Sequence, residues 1–272
     1  MPEGPELHLA SCYINTVCAG LIFSGKVEKS EVSKNPEVLF ESDAPHRALC
    51  FVDIRRFGRW EVHGTWQLDR GPCVMLEYEK FRENVLRNLS DKAFNKPICE
   101  ALLNQKFFNG IGNYLRAEIL YRLKIPPFEK ARTVLEALQH RKQSPDLTLS
   151  KKVKLKRENP DLLELCHAVP MEVIHMGGKG YSPEPSDDAA AFEEWLQCYC
   201  VPGMRSLHDG NGRTIWFQGE PGPMAPKGEH QLYSSMLCRV LLLLVGLGEA
   251  GRSVACCGII KVKETSDALL KL

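Results

Sequence analysis

A chain of 272 residues is long enough for two domains with separate cores, and its 44% hydrophobic and 25% charged residues are typical of a globular protein in water. The net charge of +1 argues neither for nor against a nucleic-acid partner, because a phosphate site needs only local basic clusters. The eleven cysteines include the close pairs Cys198/Cys200 and Cys256/Cys257, but neither pair has the spacing of zinc ligands. We therefore predict ordinary thiols in a reducing compartment, with no metal and no cofactor.

Residues 1–80 are predicted to combine one helix with a thin sheet. Apolar side chains from Ala10 to Cys18 recur on one helical stripe, and Gly20 is a plausible helix stop. Short runs rich in β-branched or aromatic residues predict strands at Leu21–Phe23, Lys26–Val32, Ala48–Ile54 and Arg59–Val62. So few strands make a stable sheet only when they pack on something else.

Residues 81–202 have the pattern of a helical segment. Helices are predicted, in chain order, at Ile98–Phe107, Tyr114–Leu123, Thr133–Gln139, Asp161–Val169 and Ala189–Cys200. Pro97 opens the first of these helices, and Asn159-Pro160 is predicted to cap the fourth.

The pattern changes to a hairpin at residues 204–219. Asp209-Gly210-Asn211-Gly212 is a strong turn signal, and Thr214–Phe217 is the predicted returning strand. A Pro/Gly linker follows at Gly219–Lys227, and the tail beyond it contains the apolar run Val240–Val245. This run is far shorter than the roughly 20 residues that span a bilayer, so we interpret it as a docking helix or as a tail unrelated to the preceding fold.

The first motif that carries chemistry is Met1-Pro2-Glu3-Gly4-Pro5-Glu6. Trimming of Met1 would leave Pro2 as a secondary amine, which is less basic than a lysine and therefore partly neutral at pH 7. Such an amine can attack a sugar aldehyde carbon to give a Schiff base, and Glu3 can move protons beside it. The alternative is a frayed chain start.

A second motif is Phe108-Asn109-Gly110-Ile111-Gly112-Asn113-Tyr114-Leu115-Arg116, which joins two predicted helices. Exposed backbone amides at the start of the second helix, with the Asn113 side chain, would bind an anion such as DNA phosphate. A packed helical hairpin with glycines for close approach is the alternative.

Two arginine-bearing segments are further candidates for DNA contact. The segment Asp53–Trp60 contains three arginines around an aromatic residue at a predicted strand end, where an arginine can bind phosphate or a base edge and an aromatic side chain can wedge into a base stack. Arg213 lies at the tip of the hairpin, from which it can reach phosphate. A solvated strand end and an ordinary surface arginine are the alternatives.

A glycine-rich loop and a basic run complete the candidates. The loop Gly177–Tyr181 contains Lys179 and Tyr181, which could hydrogen-bond and stack on an extruded base. Lys151–Arg157 has five basic residues in seven, a pattern typical of a solvated face and also compatible with non-specific attraction to DNA.

Taken together, these motifs resemble the formamidopyrimidine-DNA glycosylase/endonuclease VIII family. The resemblance rests on residues 2–6, 53–58, 108–116 and 212–219 and extends over residues 1–40 and about 48–228. It implies an α+β fold with a truncated N-terminal β-sandwich domain (1–80), a helix-two-turn-helix domain (81–202) and a finger hairpin (203–219), followed by a linker and divergent tail (220–272). The hairpin lacks the family's zinc-binding cysteines, as in its zincless branch.

The resemblance also implies roles for individual residues. Pro2 corresponds to the Schiff-base nucleophile, and Glu3 to its proton-transfer partner. Asn113 corresponds to the phosphate ligand, and Arg213 to the finger arginine. Arg55 and Phe57 fill the hole left by the flipped base, whereas Lys179 and Tyr181 belong to the lesion loop.

The predicted function is a bifunctional DNA glycosylase/AP lyase of base excision repair. It would remove oxidised bases, pyrimidine lesions above all, through the Schiff base and β,δ-elimination. The expected partners are damaged duplex or single-stranded DNA and other base-excision repair proteins. We expect a monomeric chain that does not associate with a membrane. The family implies a location in the nucleus, with the cytoplasm as an alternative.

Two departures from the family pattern define the alternatives. Between Glu41 and Arg47 the family has further sandwich strands, a lysine that assists catalysis and a void-filling methionine, and the tail after Lys227 also differs, as in an alternative transcript or a gene-model artefact. Exposing a few hundred Å² of the opposing apolar face would cost on the order of 10 kcal/mol, so we expect a poorly ordered N-terminal domain. The alternatives are a non-catalytic damaged-DNA-binding module, a ribosomal-type RNA contact, and an unstable product that aggregates.

Overall fold

The computed structural model describes residues 3–21, 28–29, 37–41, 47–52, 68–139, 159–177, 188–227, 232–233 and 259–264. These residues form a helical body flanked by two small antiparallel sheets. Within these ranges no helix is long and apolar enough to cross a membrane. The mixture of helices and antiparallel strands agrees with the predicted α+β class.

The first helix, α1, spans Gly4–Val17 and confirms the helix predicted near the chain start. Pro5 lies in its first turn, where a proline removes no helical hydrogen bond. The Glu6 side chain accepts a hydrogen bond of 2.8 Å from the backbone N–H of Glu3, which satisfies one amide before the helix begins. Gly20, with a φ of +75°, lies in the turn that ends this segment.

The first sheet contains four antiparallel strands. Side by side, they are β1 (Glu28–Lys29), β2 (Glu37–Glu41), β3 (Arg47–Val52) and, from the end of the chain, β7 (Ile259–Glu264). β2 and β3 form an antiparallel hairpin in which Glu41 pairs with Ala48, so the point at which family residues were predicted to be missing is a strand-to-strand connection. β1 lies within the strand predicted at Lys26–Val32, and β3 overlaps the strand predicted at Ala48–Ile54. The sequence patterns missed β2 and β7. The strands predicted at Leu21–Phe23 and Arg59–Val62 fall on residues outside the described ranges, apart from Leu21.

The helical body begins with α2 (Tyr78–Arg87), a 3₁₀ turn (Lys92–Asn95) and α3 (Ile98–Ala101). The predicted helix Ile98–Phe107 is wrong beyond Ala101. The N–H groups of Leu103 and Asn104 bond to carbonyls only three residues earlier, and a separate turn follows in which the Asn104 carbonyl accepts the N–H groups of Phe107 and Phe108. The chain then enters α4 (Asn113–Arg122) and α5 (Ala131–Gln139), which confirm the predictions there to within about two residues.

Five phenylalanines in the described core are fully buried, and each contributes about 2 kcal/mol through burial. They are Phe81, Phe94, Phe107, Phe108 and Phe128. Edge-on packing of Phe81 against Phe108, with ring centroids 5.8 Å apart, joins α2 to the turn before α4.

Two further helices are α6 (Leu162–His175) and α7 (Asp188–Trp195). Asp161, and not Asn159-Pro160, caps α6: its side chain accepts the N–H of Glu164 at 2.8 Å. The helix also continues past Val169 through Pro170, which removes only one helical hydrogen bond. The prediction that α7 reaches Cys200 is wrong. The carboxylate of Glu118 accepts hydrogen bonds from the N–H groups of Gln197, Cys198 and Tyr199, so these amides do not bond within the helix.

The second sheet contains the predicted hairpin. β4 (Arg205–His208) pairs antiparallel with β5 (Thr214–Phe217), and β6 (Leu232–Tyr233) pairs with the other edge of β4. The hairpin prediction is therefore confirmed. The tail after residue 227 also supplies a strand to each sheet, which its composition did not indicate.

Candidate functional site

The side chain of Glu3 binds the first turn of α4. Its Oε1 accepts the backbone N–H of Tyr114 at 2.8 Å, and its Oε2 accepts that of Leu115 at 3.2 Å. Both amides belong to the helix N-terminus, where the partial positive charge favours an anion. The sequence predicted that this turn binds an anion, and in the structure two of its amides are bonded to a carboxyl group of the same chain.

Glycines allow the N-terminal motif and the turn before α4 to approach each other this closely. A Cβ on Gly112 would overlap the carboxyl carbon of Glu3, so no larger residue fits at the N-cap of α4 in this arrangement. Gly4 donates its N–H to the carbonyl of Gly110 at 2.9 Å, and a Cβ on Gly4 would lie only 2.8 Å from that oxygen. The N-terminal motif and the Gly-Ile-Gly motif are therefore parts of one site.

The environment of Glu3 changes its acidity. Burial raises the pKa of this carboxyl from its ordinary value of 4.5 to about 8, although the Tyr114 and Leu115 amides oppose the shift. The nearby Glu6 acts in the same direction as burial. A carboxyl with such a pKa holds its proton near neutral pH and can donate it, as a general acid must.

Glu6 ties α1 to α4 a second time. Its Oε1 accepts the phenolic O–H of Tyr114 at 2.8 Å, while its other oxygen accepts the Glu3 backbone N–H. Glu6 is only 5% exposed, so both bonds are made away from water, where an unpaired carboxylate oxygen would be costly. Sequence reasoning had assigned no role to Glu6 or Tyr114.

Asn113 connects the start of α4 to the hairpin. Its amide nitrogen donates to the carbonyl of Thr214 at 3.0 Å, and its side-chain oxygen accepts a bond of 2.6 Å from Arg116. Arg213, the neighbour of Thr214 in the hairpin, is exposed. The structure thus brings together three of the predicted site residues, Glu3, Asn113 and Arg213, around α4.

A buried ion pair completes this junction. Arg116 and Asp209 both have fully buried side chains, and an Arg116 nitrogen lies 2.6 Å from the Asp209 carboxylate. The sequence identified Asp209 as a turn residue only and gave Arg116 no role of its own. An arginine among the apolar residues of α4 was the available signal, but its partner is 93 residues away along the chain.

The other predicted site residues belong to segments that the structure does not describe. Pro2, Arg55, Phe57, Lys179 and Tyr181 lie outside the described residues, as does the basic run of residues 151–157. Among the residues that are described, no group of three or more histidine, cysteine or acidic side chains is arranged to hold a metal ion. Cys198 and Cys200 are both buried.

Comparison with known proteins identifies relatives along most of the chain. A family model described as the DNA-binding region of endonuclease VIII-like 1 matches residues 188–226. The chain is 58% identical to mouse endonuclease 8-like 1 over 84% of its length and 75% of that protein, and 56% identical to the human protein over the same shares. The mouse alignment spans 292 positions, more than this whole chain, so the relative has residues without a counterpart here.

The fold also has a relative among solved structures. The MutM (Fpg) protein of Thermus thermophilus superimposes with a TM-score of 0.50 and 18% identity, covering 80% of this chain and 97% of that one. At this identity the likeness establishes the fold alone.

Proposed function

This chain belongs to the endonuclease 8-like 1 family, and on that premise we propose how its residues act as a DNA glycosylase/AP lyase of base excision repair. The substrate is DNA that contains an oxidised base, with pyrimidine lesions preferred. The site of action is the nucleus. The finer assignment of the fold is a shortened β-sandwich, a helix-two-turn-helix unit around α3 and α4, and a zincless finger formed by β4 and β5.

The proposed chemistry begins at Pro2 once Met1 has been removed, because only then is its nitrogen a free secondary amine. This nitrogen forms a bond to C1′ of the deoxyribose while the bond from C1′ to the base breaks, and the proton that the amine gives up leaves with the base. The sugar ring opens as O4′ gains a proton, which leaves a Schiff base between Pro2 and C1′. Loss of a C2′ proton then expels the 3′ phosphate, and a second elimination expels the 5′ phosphate.

Glu3 is the proposed proton donor for ring opening. The single observation that carries the proposal is its position: one peptide bond from Pro2, buried, and anchored to the α4 amides. Its raised pKa, about 8, supports a protonated carboxyl at neutral pH. A fixed anchor matters because a misplacement of about 1 Å at a reacting centre can cost about a hundredfold in rate.

The DNA backbone is proposed to lie across α4 and the hairpin. Asn113 and Arg213 contact phosphates, and their closeness through Thr214 supports one continuous surface. Arg55 and Phe57 are proposed to fill the space left by the extruded base, and Lys179 and Tyr181 to contact that base.

A second candidate is a DNA-binding module without catalysis. The observation that favours it is the alignment with the mouse relative, which includes family residues that this chain lacks. If the assisting lysine is among them, Pro2 and Glu3 would remain without a required partner. Such a module would bind damaged DNA in a salt-dependent manner and leave the strand intact.

Borohydride trapping on a duplex with one abasic site tests both candidates. The enzyme hypothesis predicts a covalent protein–DNA adduct that disappears when an uncleaved N-terminal extension blocks Pro2. Asn113→Ala is a matched variant that keeps Pro2 free and should reduce trapping only at low DNA concentration. Salt-sensitive binding with no adduct at any protein concentration would contradict the enzyme hypothesis and support the non-catalytic binding module.

A further inference from the structure

The guanidinium of Arg116 joins three elements of the site. One of its terminal nitrogens donates to the Cys99 carbonyl at 2.8 Å and to the Asp209 carboxylate at 2.6 Å, and the other donates to Asn113. Because a guanidinium is planar and its donors diverge at fixed angles, these bonds set the direction of the Asn113 side chain relative to Asp209.

Asp209 in turn builds the tip of the hairpin. Its Oδ1 accepts the backbone N–H groups of Asn211 and Arg213, each at 2.9 Å. Its own backbone N–H donates to the Arg213 carbonyl, also at 2.9 Å. The backbone that carries the Arg213 side chain is therefore held by the same carboxylate that pairs with Arg116.

The pair is poorly suited to a role in stability alone. Both side chains are fully buried, so their desolvation offsets much of their mutual attraction. The Arg116 Nε is also buried and has no hydrogen-bond partner within the described part of the chain. An apolar pair of similar volume often stabilises a protein equally well. The distinctive property of the ionic pair is that it fixes the positions of the groups bonded to it.

We propose that Arg116 and Asp209 form a positioning pair that sets the spacing between Asn113 and Arg213, and thereby lets both contact one DNA backbone together. This assignment rests on the proposed DNA surface. Neither residue of the pair touches DNA, because both are sealed inside the protein. The pair acts through the two residues that it holds.

A double-mutant cycle tests the proposal by fluorescence anisotropy with a duplex that contains a tetrahydrofuran abasic-site analogue. In the parent protein, Arg213→Ala should weaken binding about tenfold, the value of one charge-assisted hydrogen bond, and lower the salt slope by about one. Asp209→Asn and Arg116→Lys should each weaken binding similarly. Adding Arg213→Ala to either variant should then cost less than about twofold, because the contact is already lost.

Arg82→Lys is the matched control. Arg82 forms a bidentate ion pair with Asp161, which caps α6. This change should lower the melting temperature and leave the affinity and the Arg213→Ala penalty as in the parent. A full Arg213→Ala penalty in both Asp209→Asn and Arg116→Lys would overturn the proposal, as would loss of folding in both, since the pair would then be a general stability element.

Failure of the proposed function has a different signature. If the parent protein does not bind the duplex at low salt, the DNA surface itself is wrong. If the parent binds and the cycle is additive, only the positioning role is wrong. The trapping rate at saturating DNA adds a further distinction, because a spacing defect should raise the half-saturating DNA concentration and leave the maximal rate unchanged.

Discussion

The carboxyl group of Glu3 occupies the space that a side chain on Gly112 would need. Gly112 is the N-cap of α4, and Glu3 accepts the second and third amides of the same helix. The two residues are far apart in the chain, but neither position can change its size without affecting the other.

Gly112→Ala should displace Glu3 from α4. The added Cβ cannot coexist with the carboxyl group, so we expect trapping of abasic-site DNA to fall by about a hundredfold, as for a displacement of about 1 Å. Gly203→Ala is the control, since Gly203 has a φ of +88° and an added Cβ would meet no described atom within 4 Å, so that its replacement strains only the backbone. Equal losses in both variants would contradict a specific contact with Glu3.

Stability should depend on pH through Glu3. The unfolded carboxyl titrates near 4.5 and the folded pKa is about 8, so the folded protein holds one more proton between these values. Its contribution to the free energy of unfolding is therefore complete below pH 4.5 and declines as the pH rises to 8, by at most about 1.4 kcal/mol per pH unit. Urea titrations from pH 5 to pH 9 should show this decline in the parent and a flatter profile in Glu3→Gln. Identical profiles in the two proteins would exclude Glu3 as the source of the pH dependence.

Tyr114→Phe should destabilise the junction of α1 and α4. It removes the O–H that donates to Glu6 and leaves a buried carboxylate oxygen unpaired, at a cost of about 1–3 kcal/mol. Thermal unfolding gives the measurement. Tyr13→Phe, on α1 and partly exposed, controls for the loss of a hydroxyl group and should have little effect. Unchanged stability of Tyr114→Phe would show that the hydrogen bond contributes nothing net.

Glu118→Gln should loosen the loop after α7. Glu118 is fully buried and binds three consecutive amides, whereas a glutamine offers one acceptor oxygen and a competing donor. We expect a loss of about 2–3 kcal/mol. The near-ultraviolet circular dichroism should also change, because Tyr199 in this loop packs on Trp216 with ring centroids 4.6 Å apart. Retention of both signals would mean that the loop is held by other contacts.

Local patterns predicted the elements whose determinants are close together in the chain. The apolar stripe of α1 and the Asp-Gly-Asn-Gly turn of the hairpin are complete within about 15 residues, and both elements were found. Helix ends were less predictable when distant side chains set them. The end of α7 depends on Glu118, about 80 residues earlier. The hydrophobic periodicity of residues 188–200 cannot reveal so distant a contact.

Sequence reasoning named residues of this junction but none of the contacts between them. It singled out Glu3, Asn113 and Arg213, which lie around α4 in the structure. The residues that join them, Arg116 and Tyr114, belong to a helix that is buried nearly throughout and has no polar face to mark them. Their importance depends on partners about a hundred positions away, which no window of sequence can show.

The first turn of α1 is bonded to the helical body at three points. Glu3 accepts the amides at the start of α4, Glu6 accepts the hydroxyl group of Tyr114, and Gly4 donates to the carbonyl of Gly110. None of these hydrogen bonds involves a residue of β2 or β3. A change in the length of the connection between β2 and β3 should therefore leave the bonds that hold the Glu3 carboxyl group intact.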